Sequence, residues 1–249
     1  MTYLDHNATS PVRPEVAALL ADYFGTPSGN PSSVHGAGRV ARKWLDESRR
    51  KVARLLEVHE SQIIFTSCGT EANNLALMGT AIGFNFKGHI ITSAVEHPSV
   101  LRMCDLLQGL GVRVSRIGVD DQGVVDMEAL AAAFSQETFL VSVMHANNET
   151  GVIQPVAEIA ELCQRYDVLF HTDAVQSVAK LPLTLAGVGA DMLSLSAHKF
   201  GGLKGIGALV IDNSLALSGL MVGGGQERGR RAGTENLPGI VSFGAAADL

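Results

Sequence analysis

Cysteine is scarce in this chain: Cys68, Cys104 and Cys163 are the only three in 249 residues. Three thiols cannot close a complete disulfide framework, and their spacing is not that of a zinc site. A reducing cytoplasm is the compartment this implies. Excess positive charge is also lacking: the formal net charge is −6, which leaves no basic footprint for nucleic acid. The N-terminus has no basic region followed by an apolar one, so no signal peptide is read there. The most apolar late stretch, 203–225, is broken by glycines and Asp212, so no membrane span is expected. Repeats, low-complexity tracts and domain linkers are absent, as is a Gly-Lys-Ser/Thr phosphate loop. The run Gly36-Ala37-Gly38-Arg39-Val40-Ala41 loosely matches a dinucleotide fingerprint, but a polar loop and not a strand precedes it. His171 and Asp173 make half of a metal site, and no further histidine stands at a spacing that completes it.

What is present is an alternation. With 46% hydrophobic residues, a chain of this length buries about 70–75% of its unfolded surface. Pro14 suits the first turn of a helix running to Phe24. The stretch GTPSGNPSS at 25–33 reads as loop. From 37 to 57, apolar Ala37, Val40, Ala41, Trp44, Leu45, Val52, Leu55 and Leu56 recur at helical spacing, which predicts a long amphipathic helix. Strands are expected at 62–66, 88–93, 112–117, 138–144, 168–172, 191–196 and 207–211. Helices are expected between them at 71–83, 98–109, 126–134 and 155–166. Alternating strands and helices predict one domain, a mostly parallel sheet covered on both faces, with ligand groups at the carboxyl ends of its strands.

Two residues break that pattern where chemistry is expected. The segment Asp191–Gly207, DMLSLSAHKFGGLKGIG, opens as an apolar strand and stops at His198-Lys199 before a run of glycines. A lysine closing a buried strand is unusual, although a surface lysine that merely follows a strand is the plainer reading. In VLFHTDAVQ, 168–176, Asp173 ends another strand. Taken alone it is equally a turn residue. Together they are what a pyridoxal-phosphate (PLP) site needs: an amine to condense with the cofactor aldehyde, and a carboxylate to keep the pyridine nitrogen protonated. Ser67-Cys68-Gly69-Thr70-Glu71 offers backbone N–H groups and a helix dipole to an anion; the plainer alternative is a helix capped by Thr70.

These segments, with NNETG at 147–151 and GGGQERGRRAGTEN at 223–236, resemble the PLP-dependent cysteine desulfurases that serve iron–sulfur cluster and nitrogenase assembly, in the class V aminotransferase family. The resemblance runs from YLDHNATSPV almost to Leu249. It implies the α/β large domain of the aspartate aminotransferase-like, fold type I transferases, spanning 1–249, with the family's small C-terminal domain absent. It implies that Gly69 and Thr70 seat the cofactor phosphate, with Ser196 and His198 closing over it. It further implies that His97 stacks on the pyridine ring and takes part in proton transfer. Asn148 would bond the cofactor hydroxyl, Gln176 would lie in the same plane, and Lys199 would carry the cofactor. The glycine-rich loop would cross to a second subunit, where Thr234 meets the partner's cofactor phosphate, so a homodimer is implied. The implied reaction takes sulfur from L-cysteine, leaving L-alanine and a protein persulfide bound for an iron–sulfur scaffold or a sulfur carrier.

Two departures stand out. Leu203 occupies a position where the family usually has proline, which implies a looser loop after Lys199. The family's persulfide cysteine and its substrate-gripping arginine belong to the C-terminal domain, and none of the three cysteines is a substitute. The chain is therefore expected to bind PLP without turnover. A related PLP-dependent lyase or aminotransferase, or a non-catalytic PLP-binding domain, are the alternative readings. His6, His35, His59, His89, His145 and His171 are given no catalytic role.

Overall fold

The computed structural model describes residues 2–27 and 29–249, so Ser28 of the expected 25–33 loop lies outside the described residues. Among the described residues seven strands form one sheet: β1 (Ile63–Thr66), β2 (His89–Ser93), β3 (Arg113–Ile117), β4 (Thr138–Ser142), β5 (Leu169–Asp173), β6 (Met192–Ser196) and β7 (Gly207–Ile211). The helices are α1 (Pro14–Gly25), α2 (Gly36–Leu55), α3 (Gly69–Gly83), α4 (Pro98–Gly109), α5 (Met127–Ala133), α6 (Val156–Tyr166), α7 (Leu185–Val188) and α8 (Leu237–Ala247). All seven expected strands are present, within two residues at most of their ends. Among the described residues, no helix is long and apolar enough to cross a membrane.

The sheet order is β1-β7-β6-β5-β4-β2-β3. The pairs from β6 through β5, β4 and β2 to β3 are parallel, and β7 runs against both of its neighbours. Two reversals restore the direction, so β1 points the same way as β6. The carboxyl ends of β1, β2, β4, β5 and β6 therefore meet at one edge of the sheet. That edge carries the site.

Strand side chains alternate between two apolar layers, as the two-residue period requires. Ile64, Ile90, Leu140, Leu209 and Ile211 face α3 and α4, against Leu75, Leu77, Val100 and Leu107. Ile63, Phe65, Val141, Phe170, Leu193 and Val210 face the other layer, with Val16 of α1, Leu45 and Val52 of α2, Ile159 of α6 and Ile240 of α8. Burial on both faces explains why strands such as β1 and β7 are near-continuously apolar instead of alternating. Helices α2 and α8 pack closely because α8 presents a glycine: a Cβ on Gly244 would lie 2.6 Å from Ser48 Cα.

Candidate active site

Each functional side chain sits where a strand stops. After β2 the chain turns through Glu96-His97 into α4, and His97 is its N-cap, with Nδ1 accepting from Ser99 N at 3.1 Å. Pro98 follows in the first turn, where its missing N–H costs nothing. β5 ends on Asp173 itself. β6 ends at Ser196, where the strand was expected to end, and Ala197–Lys199 form a single 3-10 turn. These groups line one cleft of about 480 Å³, with Gly69, Thr70, Asn148, Gln176, Ser196 and His198. That volume suits a small-molecule site.

The floor of the cleft is buried and hydrogen-bonded. Asp173 Oδ2 accepts from Asn73 Nδ2 at 2.7 Å, and Oδ1 accepts from Val175 N at 2.9 Å. Burial pushes its carboxyl above the usual range, and these two donors work against that shift. Beside it Glu96 is also buried, accepting from Ser93 Oγ at 2.6 Å and from Met144 N at 2.8 Å. Its Oε2 has no hydrogen-bond partner among the described residues. Burial, together with the Asp173 charge, pushes the Glu96 carboxyl up to about 8.

The rim is built differently. Lys199 Nζ donates to the backbone oxygens of Asn7 and, at 3.2 Å, Ala8. Gln176 Nε2 reaches the same Asn7 oxygen at 2.9 Å, and Lys180 Nζ donates to Gln176 Oε1 at 3.1 Å. The N-terminal segment is tied to the lysine turn through Ser10 N to His198 O (2.8 Å) and Ser10 Oγ to Lys199 O (2.8 Å). Burial, then the charge of Lys180, lower the Lys199 amine from its ordinary range. A lowered value raises the fraction of free amine, the nucleophilic form.

The anion end is an open helix terminus. α3 begins at Gly69, two residues earlier than expected, because its N-cap is Cys68 and not Thr70; Cys68 makes no side-chain cap. The first-turn N–H groups are thus left to a ligand. Ser196 Oγ is buried with no hydrogen-bond partner among the described residues, as a phosphate ligand would leave it. Gly69 lets α3 start close against the chain after β5: a Cβ there would lie 2.8 Å from Val175 Cγ2. An uncapped helix end, an unpaired buried hydroxyl, a lysine and a carboxylate in one cleft fit PLP.

Thr234 is not brought to this cleft. It lines a smaller hollow with Ser67, Glu227 and Arg231. The loop carrying it is anchored from beneath: Arg49 NH2 and NH1 meet Glu227 Oε1 and Oε2 at 2.6 and 2.8 Å, nearly out of solvent. Phe65 N also donates to Glu227, at 2.9 Å. This grip holds Glu227 and Arg228 in the left-handed region, at φ 44° and 60°. A second pair, Arg231 Nε to Glu71 Oε1 at 2.9 Å, joins the loop to α3.

The remaining histidines have structural partners. His35 and His59 cap helical turns, His89 bonds Thr138 and Ser115, and His145 bonds Ser177. His171 is buried between Ser142 and Ser194, at 2.8 and 2.9 Å, and burial pulls its imidazole down to about 3. Burial pushes the thiols of Cys104 and Cys163 up to about 12. Leu203 does not loosen its loop: its N–H, which a proline would lack, donates to buried Ser242 Oγ on α8 at 2.6 Å. Sequence reasoning missed Asn73, Ser99 and the carbonyls of Asn7 and Ala8. Asn73 lies four residues after Gly69, hence on the same helix face, which is the signal that points to it.

The aminotransferase class-V family model matches residues 2–249. The cysteine desulfurase IscS of Dictyoglomus turgidum is 46% identical over 248 residues, which cover 99% of this chain and 63% of that protein. A cysteine desulfurase of Cereibacter sphaeroides is 49% identical, covering 99% and 64%. This chain thus spans just under two thirds of the length of these relatives. Among solved structures, a NifS-like protein superposes with a TM-score of 0.96 at 42% identity, over 99% of this chain and 68% of that one. The structure of SspA in complex with cysteine gives 0.96 at 37% identity, over 99% and 72%. The chain therefore belongs to the aminotransferase class-V family, with the fold type I architecture of PLP-dependent enzymes.

Proposed function

We propose that this chain is the cofactor-holding part of a cytoplasmic cysteine desulfurase, which takes sulfur from L-cysteine and leaves L-alanine and a protein persulfide. The observation that carries the reading is the convergence of Lys199, Asp173, His97 and the uncapped start of α3 on one cleft. When bound, the cofactor supplies an electron sink for a carbanion. Gly69, Thr70, Ser196 and His198 hold its phosphate. Asp173 keeps its pyridine nitrogen protonated, His97 covers its ring, and Asn148 and Gln176 fix its plane. Lys199 carries it covalently. Thr234 serves the cofactor of a second copy, so the working unit is a homodimer, and the sulfur goes to an iron–sulfur scaffold or a carrier protein.

Sulfur transfer also needs an accessible thiolate. Among the described residues, Cys104 and Cys163 are buried, and Cys68 lies on the phosphate loop. The chain by itself therefore binds substrate without sustained turnover, since good electron-sink chemistry does not replace an absent nucleophile. Borohydride reduction of the PLP-loaded protein, followed by peptide mapping, tests the assignment: label on Lys199 is expected, and label on Lys180 or Lys204 overturns it. Alanine and sulfide are then measured with excess cysteine and a reductant. A spectral change without stoichiometric alanine is expected; sustained release would show that the nucleophile is misplaced and would make Cys68→Ser the next variant.

A further inference from the structure

The two groups that face the ring end of the cleft are joined through one buried amide. Asn73, on α3, is 1% exposed. Its Nδ2 donates both to Asp173 Oδ2, at 2.7 Å, and to Ser99 Oγ, at 2.8 Å. Ser99 Oγ lies 2.8 Å from His97 Nδ1, which also accepts from Ser99 N.

The direction of every bond in this chain follows from its first member. An ionised carboxylate only accepts, so Asp173 decides which end of the Asn73 amide is nitrogen. Turning the amide would set Oδ1 against the carboxylate, acceptor against acceptor. The second amide hydrogen then goes to Ser99 Oγ, which leaves the hydroxyl proton for His97 Nδ1. Two donors thus point at Nδ1, and a neutral imidazole in that setting carries its proton on Nε2. Cap, hydroxyl and amide agree.

We propose that Asn73 is a positioning residue: it steadies the Asp173 carboxylate and, through Ser99, fixes His97 as the Nε2–H tautomer. The part concerning the cofactor rests on the functional reading above; the tautomer belongs to the protein with or without cofactor. In the resting state His97 is accordingly a hydrogen-bond donor at Nε2. It becomes a base there only after the chain of donors has been turned around.

The test uses nitrogen-15 labelled histidine in the cofactor-free protein, with the His97 signals assigned by their loss in His97→Asn. Wild type is expected to show a protonated Nε2 and an unprotonated Nδ1. Asn73→Asp offers Ser99 an acceptor in place of a donor, so its hydroxyl turns away from His97, and the Nδ1 proton population should rise. Asn73→Leu should weaken PLP binding about tenfold, the size of one lost hydrogen bond to a charged group, while Lys199 still takes the borohydride label. A merely space-filling Asn73 would alter melting temperature but leave the His97 signals alone. The proposal is overturned by a protonated Nδ1 in wild type, or by unchanged His97 signals in folded Asn73→Asp. Should that variant not fold, Ser99→Ala removes one of the two donors, and an unchanged tautomer balance there would also overturn it. Failure of wild type to fix PLP on Lys199 would sink the functional reading instead, and the cofactor-free spectra separate the two results.

Discussion

The floor and the rim of the cleft hold their groups by different means. On the floor, Asp173, Asn73, Ser99 and His97 bond one another, side chain to side chain, on elements locked into the sheet and its helices. On the rim, Lys199 and Gln176 bond backbone oxygens of Asn7 and Ala8, in a segment that belongs to neither a helix nor a strand. The floor is set before any ligand arrives. The proposed covalent use of the Lys199 amine, by contrast, would cost it the two carbonyl bonds, so adjustment on loading would fall on the rim. On the proposed reading, orientation is thus fixed at the Asp173 end and adaptability sits at the Lys199 end.

Variants of the floor should therefore act strongly, and variants of the rim weakly. The largest effect is expected at Glu96, which keeps its proton up to about pH 8 in the folded state, whereas the unfolded chain releases it near 4.5. Between those values the folded state binds more protons, so this residue makes stability fall as pH rises, by at most about 1.4 kcal/mol per pH unit for one proton. Glu96→Gln removes that slope. Melting temperatures of variant and wild type from pH 5 to 9 should diverge in the variant's favour and level off above pH 8; parallel curves would place a charged Glu96 on the floor.

Next in size is Asp173→Asn. The amide oxygen can still accept from Val175 N, but its nitrogen then faces Asn73 Nδ2, donor against donor, and it lacks the charge that pairs with a ring N–H. PLP affinity should fall about 10- to 100-fold, the worth of one charge-assisted hydrogen bond, and the cofactor's absorbance band should shift. An unchanged titration would reduce Asp173 to the turn residue that its bond to Val175 N also makes it. The smallest effect is expected on the rim side, where Ser242→Ala strips the partner from the Leu203 N–H. Denaturant melts should show a loss of about 1 kcal/mol with Lys199 labelling intact; a loss of labelling would mean that the lysine turn is held as stiffly as the floor.

Much of the fold was legible because strand signals are local. Runs such as IIF, HII and FLV are apolar and β-branched or aromatic, and each became a strand. Lys199 and Asp173 were legible because each breaks a buried pattern at a strand end. Strand order was not legible, since nothing in GALVI says that it lies antiparallel between β1 and β6. Asn73 was hidden because an asparagine within a helix reads as a solvent-facing residue until the helix is seen to turn that face toward Asp173. The start of α3 was placed late because Cys-Gly-Thr has weak helix propensity, and the sheet edge overrides it. The roles of Asn148 and Gln176 came from family resemblance and from no pattern of their own.

Among the described residues, strand β1 has a single partner in the sheet, β7, although more than half of the chain lies between them. A chain made from its N-terminus exposes Ile63, Ile64 and Phe65 long before residues 207–211 exist to cover them. Non-local pairings of this kind form late, and an unpaired apolar strand is meanwhile open to wrong partners. The loop leading from β1 into α3 cannot take its place at the sheet edge until that pairing closes. The α3 end of the cleft is thus among the last parts of the molecule to be completed at the ribosome, and the strand that carries it is the stretch a chaperone would most need to shield.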